Sequence, residues 1–245
     1  MSSPSPARSA VRIVAIHQPN FFPWLGYFDK IARADVFVIL DHIQFNKSRP
    51  GNWSNRVQMA VSGQAAWVTM PVVRAYEGGR RIDEMLIDNG APWRKKLLQL
   101  LRSNYGRAAA FRETFPFVAD LVENPTDRVA DYNIAAVTAV CARLGLRTDH
   151  LVRSSQIPVG GRATDMLVAL VRQTGGTRYL AGGGSSGYQE DGKFHAAGID
   201  VEYQQFQHPV YEQRGAAAFL PGLSILDVLF NCGFDGTARL LARPA

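Results

Sequence analysis

Cysteine is scarce in this chain, and neither cysteine stands in a pattern that binds metal or builds a disulfide framework. Only Cys141 and Cys232 occur among the 245 residues, without CxxC or zinc-ligand spacing. Both fall on apolar helical stripes, so we expect core thiols and disfavour a thiol nucleophile. So few cysteines suit a reducing compartment, and we expect a cytoplasmic protein.

Long apolar runs are also missing. Charge or proline interrupts each hydrophobic stretch before it reaches the length of a membrane span, so we expect none. The first ten residues, MSSPSPARSA, lack the apolar centre of a secretory signal and are typical of a disordered tail. We therefore predict a tail over residues 1–10 and a single domain over residues 11–245.

Basic residues exceed acidic ones, 27 against 21, which gives a net charge of +6 and favours anionic partners. The basic residues are dispersed. The run at 94–96 lies on the polar face of a predicted helix, where solvation explains it as well as binding does. No nucleic-acid-binding motif is present. We expect an anionic small molecule, such as a sugar nucleotide, and no nucleic acid.

The first element pattern is a strand, a helix and a second strand. Residues 12–17 (RIVAIH) form a short β-branched run that ends at QPN. Pro23 opens a helical pattern that ends near Ala34, and residues 35–41 (DVFVILD) resemble a strand buried on both faces. This order predicts a βαβ crossover in a parallel sheet.

The remainder of the chain predicts an α/β fold with a mostly parallel sheet, flanking helices and a helical insertion over about residues 92–145. The predicted strands are 53–60, 66–73, 146–153, 177–180 and 199–206. The predicted helices are 92–105, 109–122, 129–144, 164–173 and 225–232.

Two polar pairs stand at predicted strand ends. His17 and Gln18 follow the first strand, and Asp41 and His42 follow the second. Parallel strands bring their carboxyl ends to one edge of the sheet, where ligands bind. We expect His17 to act as a general base supported by Asp41. The alternative is a histidine that is merely hydrogen-bonded at a strand end.

The loop QPNFFPW is rich in aromatic residues and restricted by proline. Phe21, Phe22 and Trp24 are predicted to wall a pocket in which Asn20 forms hydrogen bonds. A hydrophobic staple that anchors the start of the helix explains the same residues equally well.

The segment after Asp41 reads HIQFNKSRPGNWSNR and mixes hydrogen-bonding side chains with Phe45 and Trp53. Such a mixture suits a polyhydroxylated or phosphorylated ligand. The candidate binding residues here are Gln44, Lys47, Asn55 and Arg56. Of these, we expect the two basic side chains, Lys47 and Arg56, to hold phosphate.

The C-terminal third contributes weaker signals. The run AGGGSSGY (residues 181–188) matches neither phosphate-binding fingerprint, so a flexible turn is favoured over an anion cradle. Ser224 suits an N-cap and Asp227 its capping box, whereas Asn231 on the same stripe is unexplained. His208 in HPVYEQ has no visible metal partners and is expected to be structural more often than a ligand, and we expect no metal site.

Several segments resemble the WbqC-like protein family. They are IHQPNFFPWLGYFDKIARADVFVILDHIQF, NRVQ with the later WVTMPV, YLAGGGSSGY, and HPVYEQ followed by FLPGLSILDVLFNCG. The resemblance runs in order from about Val11 to about Leu241.

The resemblance implies a role in bacterial surface-polysaccharide or natural-product biosynthesis, with transfer of an aminoacyl group, such as glycine, to an amino sugar. It also implies which residues form the site. These are His17, Gln18, Asn20, Asp41, Gln44, Asn55, Arg56, His208, Tyr211, Gln213, Asp227 and Asn231, to which the pocket hypothesis adds Trp24 and Lys47.

A second, looser likeness is to nucleotidylyltransferase-like enzymes, which hold ATP at the start of the first helix. Those enzymes carry an HxGH-type motif there, where this chain has Gly26 and Tyr27. The cofactor therefore stays open, with ATP as a candidate. Two alternatives to the transferase remain: an ATP-dependent enzyme that activates a carboxylate or phosphate, and a non-catalytic module that binds a phosphorylated glycan or nucleotide.

Overall fold

A computed structural model describes residues 11–46, 52–183 and 189–242. The predicted tail over residues 1–10 and the candidate Lys47 lie outside these ranges. The strands are β1 Ile13–His17, β2 Val36–Ile39, β3 Arg56–Val61, β4 Gln64–Thr69, β5 Leu151–Arg153, β6 Arg178–Ala181 and β7 Asp200–Tyr203. The helices are α1 Leu25–Arg33, α2 Trp93–Tyr105, α3 Phe111–Val122, α4 Val129–Arg143, α5 Ala163–Gln173, α6 Asp191–Ala196 and α7 Ile225–Leu241.

Five strands form one parallel sheet in the order β5-β2-β1-β6-β7. The central strand β1 lies between β2 and β6, and all four residues of β2 are buried. Burial on both faces explains why the VFVI run is continuously apolar. The predicted α/β class and its parallel sheet are confirmed. β3 and β4 form a separate antiparallel hairpin.

Side chains of β1 and β2 alternate between two cores. Val14 and Val38 point to one face of the sheet, where they pack in a cluster with Leu170 of α5 and Phe194 of α6. The opposite side chains face the larger cluster, which contains α1, α4 and α7. The sheet is therefore covered by helices on both faces, as a doubly wound fold requires.

The helical insertion is present as α2, α3 and α4, with bounds within two residues of the prediction. Cys141 on α4 is fully buried, and Cys232 on α7 is partly buried. Burial raises the thiol pKa to about 12 for Cys141 and to about 11 for Cys232. Both thiols are therefore protonated at neutral pH, which agrees with a core role.

The last helix and the fifth strand differ from their predictions. The helix predicted to stop at Cys232 bends at Gly233, where φ is 70°, and then continues to Leu241. The strand predicted over residues 146–153 is limited to Leu151–Arg153, because a turn from Thr148 to Leu151 comes first. The short helix α6 was not predicted.

Gly176 lies between α5 and β6 at a point of close contact. A β-carbon at this position would lie 2.5 Å from Val14 Cγ2 and 2.8 Å from Val171 Cγ1. We predict that Gly176→Ala lowers the free energy of unfolding by about 1–3 kcal/mol through overpacking. Urea denaturation measures the change.

Gly192→Ala is the matched control, since a β-carbon on Gly192 of α6 would meet nothing within 4 Å. It should be neutral or stabilise by up to about 1 kcal/mol, because alanine favours helix over glycine. Equal effects of the two substitutions would contradict this description of the α5–β6 junction.

Candidate functional site

The strand order of the sheet reverses between β1 and β6. From β1 the chain proceeds outward to β2 and β5, and it then returns to place β6 on the other side of β1. His17 ends β1 and Ala181 ends β6, so their following loops leave the same edge of the sheet. Such a switch point is where open α/β sheets bind ligands.

A cavity of about 250 Å³ lies at this switch point. Its lining combines the end of β1, the first turns of α1, the glycines after β6 and the segment after β7. The lining residues are His17, Trp24, Gly26, Tyr27, Lys30, Gly182, Gly183, Gln204 and Phe206. Of these nine, the sequence predicted His17 and Trp24 as site residues.

Lys30 of α1 is the cation of this cavity. Its side chain is 1% exposed, and its Nζ donates a hydrogen bond of 3.0 Å to the carbonyl of Ile16. Among the described residues it forms no ion pair with a carboxylate. Burial lowers the pKa of this amine to about 7, because removal of water disfavours the charged form. Neutral and charged Lys30 therefore coexist at neutral pH.

A β-carbon on residue 182 would lie 3.9 Å from Lys30 Nζ. The glycine at this position therefore keeps any larger side chain away from the amine. Gln204, which lines the same cavity, is fixed against α1, where its amide donates to the carbonyl of Gly26 and to Asp29, each at 2.7 Å. The Lys30 amine thus faces the cavity between the glycines after β6 and the amide of Gln204, which its hydrogen bonds hold in place.

His17 is the second titratable group of the cavity. Burial and the nearby charge of Lys30 lower its pKa to about 3, against an opposing hydrogen bond to the carbonyl of Gln18. Nδ1 donates that bond at 3.2 Å, which leaves Nε2 as an acceptor. The Tyr27 ring meets the imidazole edge-on with 4.8 Å between centroids. His17 is therefore neutral and held in one tautomer at physiological pH.

Trp24 forms an aromatic wall together with residues that follow β7. Its ring centroid lies 5.3 Å from that of Phe206 and 5.2 Å from that of His208. Gly26 permits this position, since a β-carbon there would lie 2.0 Å from the indole. His208 is fixed in turn, because its Nδ1 accepts from the amide of Gly222 at 3.2 Å. The predicted residues Trp24 and His208 are thus brought together.

The other two aromatic residues of the QPNFFPW loop do not wall the cavity. Phe21 and Phe22 are each 1% exposed and pack against Tyr132 of α4. Phe22 has a φ of 40°, which its neighbours hold in place: its carbonyl accepts from Ser224 Oγ at 2.8 Å. Phe21 and Phe22 are therefore core residues that pack on α4, and of the three aromatic residues Trp24 lines the cavity.

Asp41 is not hydrogen-bonded to His17, which corrects the predicted pair. Its carboxylate accepts from Arg153 Nε at 2.6 Å, from Ser154 Oγ at 3.0 Å, and from the amide and hydroxyl of Ser155 at 2.9 and 2.8 Å. Burial would raise the pKa of Asp41, but these bonds outweigh it and hold the pKa below its usual range. Asp41 therefore ties the end of β2 to the end of β5.

Two candidates from the segment after Asp41, Asn55 and Arg56, lie at the start of β3, and Asn20 and Gln44 lie elsewhere. Asn55 is buried and donates to the carbonyl of Met70 at 3.0 Å, and Arg56 lies over the Trp67 ring at 4.2 Å. Asn20 is 2% exposed, and no described residue forms a hydrogen bond with its Oδ1. Gln44 is exposed, where it forms an isolated bridge with Arg81. None of the four lines the cavity at the switch point.

The candidates near the C-terminus form a separate buried cluster. Asp227 accepts hydrogen bonds from Tyr211 at 2.6 Å, from Gln213 at 3.1 Å and from Tyr105 at 2.9 Å. Asp227 therefore does not serve the capping box predicted for it, whereas Ser224 does cap α7 by accepting from the amide of Leu226. Burial raises the pKa of Asp227.

Asn231 belongs to the same cluster. It accepts from the amide of Arg214 at 3.2 Å and donates to the carbonyl of Asp227 at 2.8 Å. These bonds explain Asn231, which the capping of the helix start by Ser224 had left without a role. The cluster joins α2, α7 and the segment before α7, and it lies apart from the cavity lining.

The WbqC-like protein family model matches residues 18–239, which is most of the chain. The chain belongs to the WbqC-like family. It is also 34% identical over 224 residues to "Uncharacterized protein Rv1507c" of Mycobacterium tuberculosis (strain ATCC 25618 / H37Rv), which covers 91% of this chain and 94% of that protein. No solved structure gives a significant match.

The WbqC-like match includes every cavity residue except His17, which directly precedes it. Within the ranges 11–46, 52–183 and 189–242, no group of three or more metal-ligating side chains occurs. In the same part of the chain, no helix is long and apolar enough to cross a bilayer.

Lys30 is the main functional candidate that sequence reasoning missed. A signal for it existed, since Tyr27, Lys30 and Ala34 follow at helical spacing beside the stripe of Trp24 and Phe28. A lysine inside a buried stripe is rare unless it has a partner or a function. Gly182 and Gly183 carried only the weak signal of a glycine-rich turn after a strand.

The perturbed amine of Lys30 predicts a particular pH dependence of stability. Between about pH 7 and 10.5 the unfolded chain keeps this proton while the folded chain lacks it. The free energy of unfolding should therefore rise with pH, by up to about 1.4 kcal/mol per unit, relative to that of Lys30→Met. Denaturant unfolding at pH 7.5, 8.5 and 9.5 measures the difference.

Lys95→Met supplies the control, because Lys95 is exposed on α2. Its curve should run parallel to that of the unsubstituted protein throughout this range. Parallel curves for Lys30→Met as well would mean that Lys30 has an ordinary pKa, against the environment described above.

Proposed function

We propose that this WbqC-like protein is a transferase that moves an acyl group, of the aminoacyl type, onto the amine of an anionic small molecule such as an amino-sugar nucleotide. The observation that carries the proposal is the amine of Lys30 beside neutral His17 in the cavity at the switch point. Lys30 serves as the general base of this reaction.

The basicity of the two groups supports this assignment. An efficient base has a pKa near the working pH, and the pKa of Lys30 is about 7. His17, with a pKa of about 3, is too weakly basic for the role first considered for it. Asp41 gives it no help, because the Asp41 oxygens already accept four hydrogen bonds.

The chemical step uses one proton acceptor and one orienting group. The acceptor amine forms a bond to the carbonyl carbon of an activated acyl donor, and the bond from that carbon to the leaving oxygen or sulfur breaks. The proton lost by the amine passes to Nζ of Lys30 and then to the leaving group. Nε2 of His17 accepts a hydrogen bond from the attacking amine and directs its lone pair to the carbonyl.

The size of the cavity separates the reacting groups from the rest of the substrate. A volume of about 250 Å³ is at the lower limit for a small-molecule pocket. It accommodates the amine and the acyl group, while the anionic part of the acceptor lies outside. The net charge of +6 attracts such an acceptor to the surface.

Incubation with amino-sugar nucleotides and glycine, with and without ATP, tests this proposal by mass spectrometry. The expected product is an amino sugar whose mass has increased by one glycyl group. Lys30→Met should lower kcat about 10²–10⁴-fold, the usual contribution of a general base. Lys95→Met should leave kcat unchanged, because that side chain is exposed on α2.

Two results would contradict the proposal. One is full turnover by a folded Lys30→Met protein. The other is tight binding of a nucleotide with no mass shift across several sugars and donors, which would favour a binding module. Pyrophosphate release that depends on the acid and precedes any transfer would instead favour an ATP-dependent activating enzyme.

A further inference from the structure

Arg56, the first residue of β3, holds one edge of its guanidinium inside the protein without an acceptor. Its Nε and Nη2 atoms are both buried, and neither has a hydrogen-bond partner in the part of the chain that the structure describes. No ion pair joins Arg56 to a carboxylate among residues 11–46, 52–183 and 189–242. Buried polar atoms almost always find a partner, so two orphaned donors on one charged group are unusual.

Stacking on tryptophan does not satisfy these donors. The Arg56 Cζ lies 4.2 Å from the centroid of the Trp67 ring, which in turn lies 5.0 Å from the ring of Trp53. A guanidinium that stacks uses its flat face, whereas its N–H groups point outward in its plane. Stacking therefore fixes the orientation of the group and leaves the edge free for hydrogen bonds.

The two free donors are those that form a fork. Nε and Nη2 lie on the same edge of the guanidinium and donate in parallel, which matches two oxygens of a carboxylate or phosphate. Lysine has the same charge but no planar fork. The geometry is thus specific for an oxyanion that presents two oxygens side by side.

Buried acceptors without partners among the described residues occur where the segment that leads into β3 meets α4 and the loop after β1. Asn133 of α4 donates through Nδ2 to the carbonyl of Pro19 at 3.0 Å and to that of Ser54 at 2.7 Å, so these two loops meet at α4. The oxygens that find no partner within residues 11–46, 52–183 and 189–242 are Asn20 Oδ1, Ser54 Oγ and Asn133 Oδ1, and their residues are at most 2% exposed. Such oxygens suit hydroxyl or ammonium donors.

We infer that Arg56, stacked on Trp67, is a binding subsite that takes an oxyanion of a small ligand through a bidentate hydrogen bond. Asn20, Ser54 and Asn133 provide acceptors for hydroxyl or ammonium groups of that ligand. The subsite is separate from the lining of the cavity that contains Lys30. The inference concerns binding alone and does not depend on the proposed transfer reaction.

Calorimetric titration with inorganic phosphate, uridine diphosphate and glycine tests the subsite and distinguishes a phosphate from a carboxylate. At least one probe should bind the unsubstituted protein. Arg56→Lys should weaken that probe about 10–100-fold, which corresponds to the loss of one charge-assisted hydrogen bond. The probe affected identifies the source of the oxyanion.

Arg143→Lys is the matched control, since Arg143 also stacks on an aromatic ring, with Cζ 4.1 Å from the centroid of Phe234. It should bind the probe as the unsubstituted protein does. Trp67→Ala is a second test if Arg56→Lys does not fold, because Trp67 is 42% exposed and its loss leaves the core intact. It should weaken the same probe about 3–10-fold, since the guanidinium loses its stacking partner.

Two outcomes overturn the inference: no probe binds the unsubstituted protein, or the Arg56 and Trp67 variants bind the probe as Arg143→Lys does. The readout is affinity and not turnover. A negative result here therefore leaves the role proposed for Lys30 intact, and an inactive Lys30→Met protein leaves this subsite intact.

Discussion

The amine of Lys30 lies in the interior of the protein, where one backbone carbonyl is its hydrogen-bond partner among the described residues. A pKa of about 7 instead of 10.5 corresponds to a cost on the order of 5 kcal/mol at neutral pH. Whole domains of this size are stable by only about 5–15 kcal/mol. The positions of α1, the β1 terminus and the loop after β6 must all be compatible with this buried amine.

Two buried carboxyl groups, by contrast, have several hydrogen-bond partners within the fold. The carboxylate of Asp41 is matched by Arg153 and two serines, so that its charge stabilises the joint between β2 and β5. The carboxylate of Asp227 is matched by two tyrosines and a glutamine. Lys30 and Arg56 are incompletely partnered among the described residues, and this leaves them capacity for a ligand. Completeness of hydrogen bonding therefore separates structural charges from candidate site residues here.

The elements that the sequence predicts correctly are those fixed by interactions between residues close together in the chain. The βαβ unit followed from β-branched runs, a proline at the helix start and helical periodicity, all within about thirty residues. The three helices of the insertion were found for the same reason. The length predicted for β5 is too great, because an apolar run shows where a strand is favoured but not where the neighbouring strand, β2, stops pairing with it.

Long-range partners could not be derived in this way. Asp41 binds Arg153, which lies 112 residues away, so its apparent partnership with His17 rested only on neighbouring strand ends. Gly182 meets Lys30 because β6 inserts next to β1, a strand order that the sequence does not state. The sequence shows Lys30 as a charged residue on a buried helical stripe, but the fold is needed to place its amine in the cavity.

Titration of the Lys30 side chain by NMR tests this account most directly. The side-chain resonance, assigned by its disappearance in Lys30→Met, should titrate with a midpoint near pH 7. A midpoint near the ordinary value of 10.5 would contradict the account, because Lys30 would then be a charged and structural lysine at neutral pH.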